Sequence, residues 1–314
     1  MTTDEKYMAR CLQLARNGEA GAPPNPMVGA VIVAEGRIIG EGWHRLCGGP
    51  HAEVNAIASV AKADRSLLRE STIYVSLEPC SHWGKTPPCA DLIIQHRIPR
   101  VVCGCIDPFA EVQGRGIQRL RDAGCEVVVG VLEEECKWLN RRFFTMHTEH
   151  RPWVTLKWAQ SADGFIDRHR KSLADGDPIH FSDAHTQTLV HRLRATHQAI
   201  LVGRRTLELD HPSLTTRLWP GPSPLRCVLS RSLSSSAVPG GFLVYPSVEN
   251  CLSDLYQRGV QSLLVEGGRQ TLQAFIDADF WDEAYVEKAR FSLGEGVAAP
   301  SITPKGRPIH VNFT

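Results

Sequence analysis

The chain lacks the features that would place it in a membrane, outside the cell or along a nucleic acid. No run approaches about eighteen apolar residues, so no membrane span is expected. The stretch 1–10 carries charge early and has no apolar segment, which argues against a secretory signal peptide. With 35 basic and 34 acidic residues, the formal net charge of +1 is too small for tracking nucleic acid by charge alone. A small anionic ligand would still need only one or two well-placed cations.

The ten cysteines do not indicate a disulfide scaffold. The chain is long and shows no secretory signature, and eight of the ten cysteines lie before residue 150. Cys103 and Cys105 fall in the apolar run 101–106, where they are interpreted as small buried residues. This usage of cysteine predicts a reducing, cytoplasmic setting.

A length of 314 residues and an apolar content of 42% allow two domains, each with its own core. Strand-like and helix-like stretches alternate in the first half, with a hairpin turn at Glu35-Gly36. This alternation predicts a largely parallel sheet with helices on both faces, and the second half again has an α/β pattern. The basic, histidine-rich segment 141–152 ends in a proline and is taken as the boundary between domains at 1–146 and 151–314.

The predicted strands are 28–33, 37–39, 73–77, 100–106, 126–131, 153–158, 198–202, 226–229, 242–245 and 262–265. The predicted helices are 51–62, 89–96, 116–123 and 184–195.

One short constellation indicates chemistry: His51-Ala52-Glu53, then Pro79-Cys80, then Cys89. One neutral imidazole and two thiolates can fill three corners of a zinc tetrahedron and leave the fourth for water. A carboxylate two residues from the imidazole can move protons to and from that water. The pattern is close to the H-x-E…P-C-x-x-C signature of zinc-dependent nucleobase deaminases, although here eight residues separate the two cysteines.

Two features of the long insert between the cysteines leave alternatives open. His82 could act as a fourth protein ligand and make the zinc site closed and structural, but Glu53 would then be unexplained. Lys85 offers a cation that suits a phosphate on a substrate, or it is simply a surface lysine on a solvated loop.

The motifs together resemble a known family, the bifunctional deaminase-reductases of riboflavin biosynthesis. In the first half the resemblance lies in Asn25-Pro26-Met27-Val28-Gly29, His51-Ala52-Glu53 and the stretch 78–89, EPCSHWGKTPPC. In the second half it lies in the stretches 156–164, 193–195, 200–203, 210–217 and 265–268. The resemblance covers nearly the whole chain.

The resemblance implies a cytidine-deaminase-like three-layer α/β/α domain followed by a dihydrofolate-reductase-like α/β domain. The implied substrate is 2,5-diamino-6-ribosylamino-4(3H)-pyrimidinone 5′-phosphate, a small phosphorylated pyrimidine. One Zn²⁺ would serve its deamination, and NADPH would then reduce the ribosyl group of the product to a ribityl chain. Gly114-Arg115-Gly116 lacks the third glycine of a dinucleotide-binding fingerprint, in agreement with a fold of the reductase type.

The resemblance also implies roles for individual residues. Glu53 would be the proton shuttle, Asn25 would hold the substrate, and Lys85 would bind its phosphate with His82 nearby. Lys157 matches a lysine that touches the ribose or donates a proton, and we expect it to belong to the cofactor site. The remaining implied substrate contacts are Arg194, Leu214, Arg217 and Glu266. The remaining implied NADPH contacts are Ala159, His180, Thr206, Asp210, Gly268, Arg269, Gln270, Thr271, Leu272 and Gln273. The last six of these are expected to form a loop.

The chain departs from the family pattern in the reductase half. The segment 165–177 is long and highly charged, His180 stands where tryptophan is frequent, and Ser230 stands where an aspartate often ends the strand. These departures leave open a deaminase whose second domain has lost reduction. A deaminase of a free base or of tRNA, and a non-catalytic module with structural zinc, are further alternatives. We also expect a homo-oligomer, either dimer or tetramer, and no nucleic-acid or membrane partner.

Overall fold

The computed structural model describes residues 1–81, 87–109, 113–234, 236 and 238–313. Contacts divide the chain into two compact units, Met1–Glu149 and His150–Thr314. No helix in the described part of the chain combines the length and the apolar composition that a membrane crossing requires.

The first unit alternates helices and strands around one sheet. Its elements are α1 (Thr3–Arg16), β1 (Gly29–Ala34), β2 (Arg37–Trp43), α2 (Ala52–Ser59), a 3-10 helix (Lys62–Glu70), β3 (Thr72–Leu77), α3 (Cys89–Gln95), β4 (Arg100–Cys105), α4 (Arg115–Asp122), β5 (Glu126–Val129), α5 (Glu133–Leu139) and α6 (Arg141–Thr148).

The five-stranded sheet of this unit has the order β2-β1-β3-β4-β5. β1 pairs antiparallel with both β2 and β3, whereas the β3–β4 and β4–β5 pairs are parallel. The prediction of a largely parallel first sheet is therefore wrong. Strands β1 and β2 are joined by the predicted two-residue turn, and Glu35 (φ 51°) and Gly36 (φ 74°) both have the positive φ that a tight antiparallel hairpin requires.

Helix α2 lies unusually close to β2, because two glycines of that strand face it. A Cβ built on Gly40 would lie 2.5 Å from the carbonyl oxygen of Ala56. One built on Gly42 would lie 2.3 Å from the amide nitrogen of Ala56 and 2.6 Å from the carbonyl oxygen of Ala52. Contacts this short do not occur in real structures, so the position of α2 depends on the absence of a side chain at both places.

The segment taken as the domain boundary begins with a helix. Phe143 and Met146, three residues apart on α6, are both buried. This spacing places them on one face of the helix, while Arg141, Arg142 and His147 are partly exposed. The basic, histidine-rich composition of the segment gave no indication of this helix.

The second unit is built in the same way around a larger sheet. Its elements are β6 (Trp153–Gln160), β7 (Phe165–Asp167), a 3-10 helix (Leu173–Asp175), α7 (Ala184–Thr196), β8 (Ala199–Gly203), α8 (Arg204–Asp210), β9 (Leu225–Leu229), β10 (Phe242–Tyr245), α9 (Val248–Gln257), β11 (Ser262–Val265), α10 (Arg269–Asp277), β12 (Glu283–Lys288), β13 (Val297–Ala298) and β14 (Ile309–Val311).

The seven-stranded sheet has the order β10-β9-β8-β11-β6-β12-β14, and its pairings among the described residues are all parallel. One face buries Val154 and Leu156 of β6 with Leu252 of α9 and Phe275 of α10. On the opposite face, Thr155 and Lys157 of β6 are free to meet α7, since side chains alternate along a strand. Parallel strands end at a common edge, so residues at their carboxyl ends come together there.

Both halves therefore have the α/β architecture that the sequence predicts. The predicted strands and helices correspond to observed elements, with ends that differ by a few residues.

Candidate active sites

In the first unit, three loops bring the predicted metal ligands together. His51 immediately precedes α2, Cys80 follows β3 after Glu78 and Pro79, and Cys89 is the first residue of α3. The His51 Nδ1, Cys80 Sγ and Cys89 Sγ atoms all lie within 4.8 Å of one another. Backbone bonds tie the two cysteines, since Cys89 N–H donates to Cys80 Sγ (3.3 Å) and Ala90 N–H donates to the Cys80 carbonyl (3.1 Å).

These distances fit a tetrahedral zinc ion. With Zn–S of about 2.3 Å and Zn–N of about 2.0 Å, a sulfur and a nitrogen ligand of one ion lie about 3.5 Å apart. His51 Nδ1 lies 3.6 Å from Cys80 Sγ and 3.4 Å from Cys89 Sγ. Hydrogen bonds from the Cys89 thiol and the His51 ring lower the pKa of the Cys80 thiol, although burial opposes this shift. Two thiolates and one imidazole are the donor set that zinc prefers, so the residues present fit the ion.

Glu53 lies in the first turn of α2 and is only 3% exposed. Its side chain shares a hydrogen bond with that of Cys89, so the carboxylate is beside the metal ligands. Burial raises the pKa of Glu53 to about 7, and the nearby Cys80 sulfur acts in the same direction. A carboxyl group with such a pKa can both accept and release a proton near neutral pH.

A second histidine connects Asn25 to this site, and sequence reasoning missed it. The Asn25 amide donates to His44 Nε2 (3.1 Å), while His44 Nδ1 donates to the Pro50 carbonyl (3.0 Å). The His44 ring packs edge-on against His51, with centroids 5.3 Å apart. Burial lowers the pKa of His44, in agreement with a neutral ring that accepts from Asn25. The His44-to-Pro50 spacing around two glycines carries no motif that would have identified this role.

Glu78 was also missed as a functional residue, although it belongs to the motif around Cys80. Its buried carboxylate accepts backbone N–H bonds from Asp107 (3.3 Å), Gly114 (2.9 Å), Gly116 (2.9 Å) and Ile117 (3.3 Å). The start of α4 is thereby fixed against the segment that carries Cys80. His82 and Lys85 lie outside the described residues.

In the second unit, the predicted substrate residues meet at the carboxyl edge of the sheet. Arg194 of α7 binds both carboxylate oxygens of Glu266, with N···O distances of 2.9 and 2.6 Å. Burial tends to raise the pKa of Glu266, but Arg194 outweighs it and lowers the pKa below the usual value. Arg194 also donates to the Thr215 carbonyl (3.4 Å), which brings in the segment of Leu214 and Arg217. The Leu214 side chain is buried, so only its backbone could face a ligand.

Lys157 lies near the same pair. Its ammonium group interacts electrostatically with Glu266, Glu287 and Arg194, and burial lowers its pKa. Arg217 reaches the same region from its own loop, where its backbone N–H donates to His191 Nδ1 (2.9 Å).

The predicted NADPH residues lie in three places. Gly268 is the residue before α10, so the stretch 269–273 is the start of a helix and the description of it as a loop is wrong. A Cβ on Gly268 would lie 3.2 Å from Thr206 Oγ1, which brings α8 and α10 together. No side chain caps α10, and the N–H groups of Thr271 and Leu272 donate to the Gly268 carbonyl (3.0 and 3.1 Å). The first N–H groups of the helix, those of Arg269 and Gln270, are of the kind that suits a phosphate. The Leu272 side chain faces the core.

The other two places are less closely connected to α10. Ala159 lies near the end of β6, and His180 is exposed in the segment before α7. Asp210, at the end of α8, is paired with the buried Arg170 from the charged segment 165–177. Arg170 also pairs with Asp167 of β7, within the same segment. This one arginine therefore holds the charged segment against the end of α8. Ser230 caps its own turn by accepting from the Ser232 and Leu233 amides.

Comparison with known proteins finds relatives for both halves of the chain. Residues 1–105 match the cytidine and deoxycytidylate deaminase zinc-binding region, and residues 152–313 match the RibD C-terminal domain. The riboflavin biosynthesis protein RibD of Aquifex aeolicus is 36% identical, over 94% of this chain and 89% of its own length. RibD of Bacillus amyloliquefaciens is 35% identical, over 95% of this chain and 87% of its own length.

Solved structures of related proteins are also similar to this chain. The diaminohydroxyphosphoribosylaminopyrimidine deaminase/5-amino-6-(5-phosphoribosylamino)uracil reductase of Thermotoga maritima is 39% identical, with a TM-score of 0.84 over 94% of this chain and 89% of that one. Acinetobacter baumannii RibD is 30% identical, with a TM-score of 0.82 over 95% of this chain and 89% of that one. With both family models matched in order along its length, this chain belongs to the RibD family of bifunctional riboflavin biosynthesis enzymes, in which a zinc-dependent deaminase precedes an NADPH-dependent reductase.

Proposed function

We propose that residues 1–146 deaminate 2,5-diamino-6-ribosylamino-4(3H)-pyrimidinone 5′-phosphate and that residues 151–314 reduce the ribosyl group of the product. The observation that carries the first half is the meeting of His51, Cys80 and Cys89 beside a buried carboxylate. In this reaction water replaces the ring amine and ammonia leaves. Zinc held by these three residues supplies the positive charge that lowers the pKa of a water molecule to about 7.

Glu53 is the proton carrier of this step. Its carboxylate takes a proton from the attacking water and gives it to a ring nitrogen. It then takes the second proton from the added hydroxyl and gives it to the departing amine, which leaves as ammonia. Burial favours this role, since a dry site leaves few competing proton acceptors around the carboxylate.

Asn25 holds the pyrimidine in this proposal. Its amide N–H is engaged by His44, which leaves the side-chain oxygen to accept from the substrate. We assign the substrate phosphate of this half to Lys85 with His82, because both follow the ligand Cys80 by only a few residues.

Arg194, Leu214, Arg217 and Glu266 are the proposed substrate contacts of the reductase. The Arg194–Glu266 pair, joined by two hydrogen bonds, holds a carboxylate beside a guanidinium, which suits ribose hydroxyls and a phosphate. The chemistry that bound NADPH would supply is a hydride for the sugar C1, in a reaction in which the bond from C1 to the ring oxygen breaks and that oxygen takes a proton. Lys157 is the proposed source of the proton.

The cofactor would lie along α8 and α10. Gly268, Arg269 and Gln270 would provide backbone N–H groups for its phosphates, because the N–H groups of Thr271 and Leu272 donate to the Gly268 carbonyl. Thr271, Leu272 and Gln273 remain in the proposed set as the rest of the first turns of α10. Thr206 and Asp210 of α8, Ala159 of β6 and His180 complete the proposed set.

We further propose a cytoplasmic homo-oligomer, either a dimer or a tetramer. The ten cysteines are free thiols, in keeping with a reducing compartment. Light scattering of the purified chain measures the assembly directly.

The decisive experiment is incubation with the diamino-pyrimidinone phosphate, with and without NADPH, followed by mass spectrometry. We expect one deaminated product without NADPH and a product heavier by two hydrogens with it. NADPH should be oxidised only after deamination. If the deaminated compound formed but NADPH stayed unoxidised, the reductase assignment would be wrong.

A further inference from the structure

Among the buried groups of the reductase half, Glu287 has no role in the mechanism above. It lies on β12 and is only 6% exposed. In the parallel pairing of β12 with β6, Tyr285 lies beside Lys157 and Glu287 beside Ala159. Since alternate residues share a face, Glu287 and Lys157 are diagonal neighbours on the face that carries the site.

The charged groups around Lys157 indicate what Glu287 contributes. Lys157 interacts with two carboxylates, Glu266 and Glu287, and with one other cation, Arg194. Glu266 already has both oxygens bound by Arg194. Glu287 is therefore the carboxylate near the Lys157 ammonium that has no arginine partner of its own, and the four groups together are neutral.

The other titratable groups of this region are engaged elsewhere. Glu283, on the same face of β12, accepts from Trp153 Nε1 (3.1 Å) and Thr155 Oγ1 (3.0 Å). His310 of β14 lies 3.8 Å from Glu283. His191 of α7 accepts from the Arg217 amide.

The end of α7 adds one more histidine to this region. His197 Nε2 lies 2.9 Å from Thr155 Oγ1. Its other ring nitrogen, Nδ1, lies 2.7 Å from the Leu193 carbonyl. Both contacts hold the ring at the far end of α7, away from Glu287.

Glu287 also holds the segment in front of α7. The Ser182 hydroxyl donates to Glu287 Oε2 at 2.6 Å. Next to it, the Phe181 ring stacks on Phe291, with centroids 5.7 Å apart and planes 2° from parallel. The segment so fixed includes His180, a proposed cofactor contact, and Asp183, which caps α7.

We propose that Glu287 is a positioning residue of the reductase, which balances the charge of Lys157 and, through Ser182, fixes the segment that carries His180. This inference rests on the proposed role of Lys157 as proton donor. The reductase then depends on a carboxylate that meets the substrate only through its neighbours.

Two substitutions separate the two effects. Glu287→Gln removes the charge and keeps an oxygen that can accept from Ser182. Ser182→Ala removes the hydrogen bond and keeps the charge. Glu295→Gln is the matched control, because Glu295 is an exposed glutamate from the segment that follows β12. Ammonia release by the same chain reports that each preparation is intact.

The readouts are the pH profile of NADPH oxidation and the KM for NADPH, with the deaminated pyrimidine as substrate. We expect Glu287→Gln to move the alkaline limb of kcat to lower pH by about one unit, because an ammonium without its counter-ion loses its proton more easily. Ser182→Ala should leave that limb in place and raise the KM for NADPH several-fold. Glu295→Gln should match the unmodified chain in both.

Further variants decide the remaining outcomes. Glu287→Asp keeps the charge and should keep the limb in place, and Glu287→Ala tests the loss of the charge if the glutamine variant fails to fold. A limb that moves equally in the aspartate variant would show a packing effect and overturn the charge role. An unchanged limb in Glu287→Gln would also overturn it, and an unchanged KM in Ser182→Ala would overturn the positioning of the segment.

Lys157→Gln tells the two proposals apart. If the limb survives that change, Lys157 is not the proton donor and the proposed reaction scheme is wrong at this step. If Lys157→Gln abolishes the limb and Glu287→Gln leaves it in place, only the inference about Glu287 fails.

Discussion

The buried carboxylate of Glu78 offers the sharpest test of how the deaminase site is held. Glu78 is 4% exposed, and its two oxygens each accept two backbone N–H bonds. In Glu78→Gln one oxygen becomes an amide group that points its own hydrogens at two of those donors. Little water can reach the site to replace the lost acceptor.

The expected loss follows from the count of bonds. A hydrogen bond to a charged group contributes about 1.5–3 kcal/mol, so two lost bonds destabilise the first unit by about 3–6 kcal/mol. This is a large share of the roughly 5–15 kcal/mol that stabilises a domain. Because Glu78 fixes α4 beside the Cys80 segment, zinc content should fall as well.

Glu126→Gln is the matched control in the same unit. Its carboxylate is 66% exposed and pairs with Arg100 at 3.1 Å, and exposed pairs contribute about 0–1 kcal/mol. Urea unfolding followed by circular dichroism measures both variants, and hydrogen exchange in segment 113–123 identifies the transition of the first unit. If Glu78→Gln cost no more than Glu126→Gln, the account of this carboxylate would be refuted.

Three further predictions follow from the two sites. Glu53→Gln should keep zinc, by metal analysis, but lose roughly 10²–10⁴-fold in ammonia release; activity near the normal rate would contradict the proton-carrier role. Gly116→Ala places a Cβ 1.9 Å from the Pro79 carbonyl oxygen and should lower the free energy of unfolding by about 1–3 kcal/mol with loss of zinc, whereas Gly240→Ala, which meets open space, should not. The guanidinium paired with Glu266 lowers the pKa of that carboxyl below its usual 4.5, so the pair stabilises the fold above that pH and stabilisation is lost as pH falls through the lowered pKa. Thermal melts should therefore show a steeper loss below about pH 4.5 than those of Glu266→Gln, and parallel curves would argue against the pair.

Much of the fold and of the zinc site could be predicted from the sequence, because local signals specify them. The turn at Glu35-Gly36 and the strand that ends before Glu78 depend on neighbouring residues only. The spacing of His51, Glu53, Cys80 and Cys89 is the signal of a metal site, and the structure brings the three ligand atoms together.

What could not be predicted depends on contacts between distant parts of the chain. The direction of β3 beside β1 follows from a connection through α2, which the alternation of residues does not reveal. His44 and Glu78 act through groups that lie far apart in sequence, such as Asn25 and Gly116. The helix α6 was hidden because its basic residues mask two buried apolar ones.

The two glycines of β2 have a consequence for how the enzyme can change. Gly40 and Gly42 leave only hydrogen atoms between the strand and the helix that carries Glu53 in its first turn. Adding a single methyl group at either place would push α2 away from β2. The Glu53 carboxylate would then move away from the sulfurs of Cys80 and Cys89, which other segments hold. Variants at these positions should thus present as poor catalysts with a normal set of metal-binding side chains.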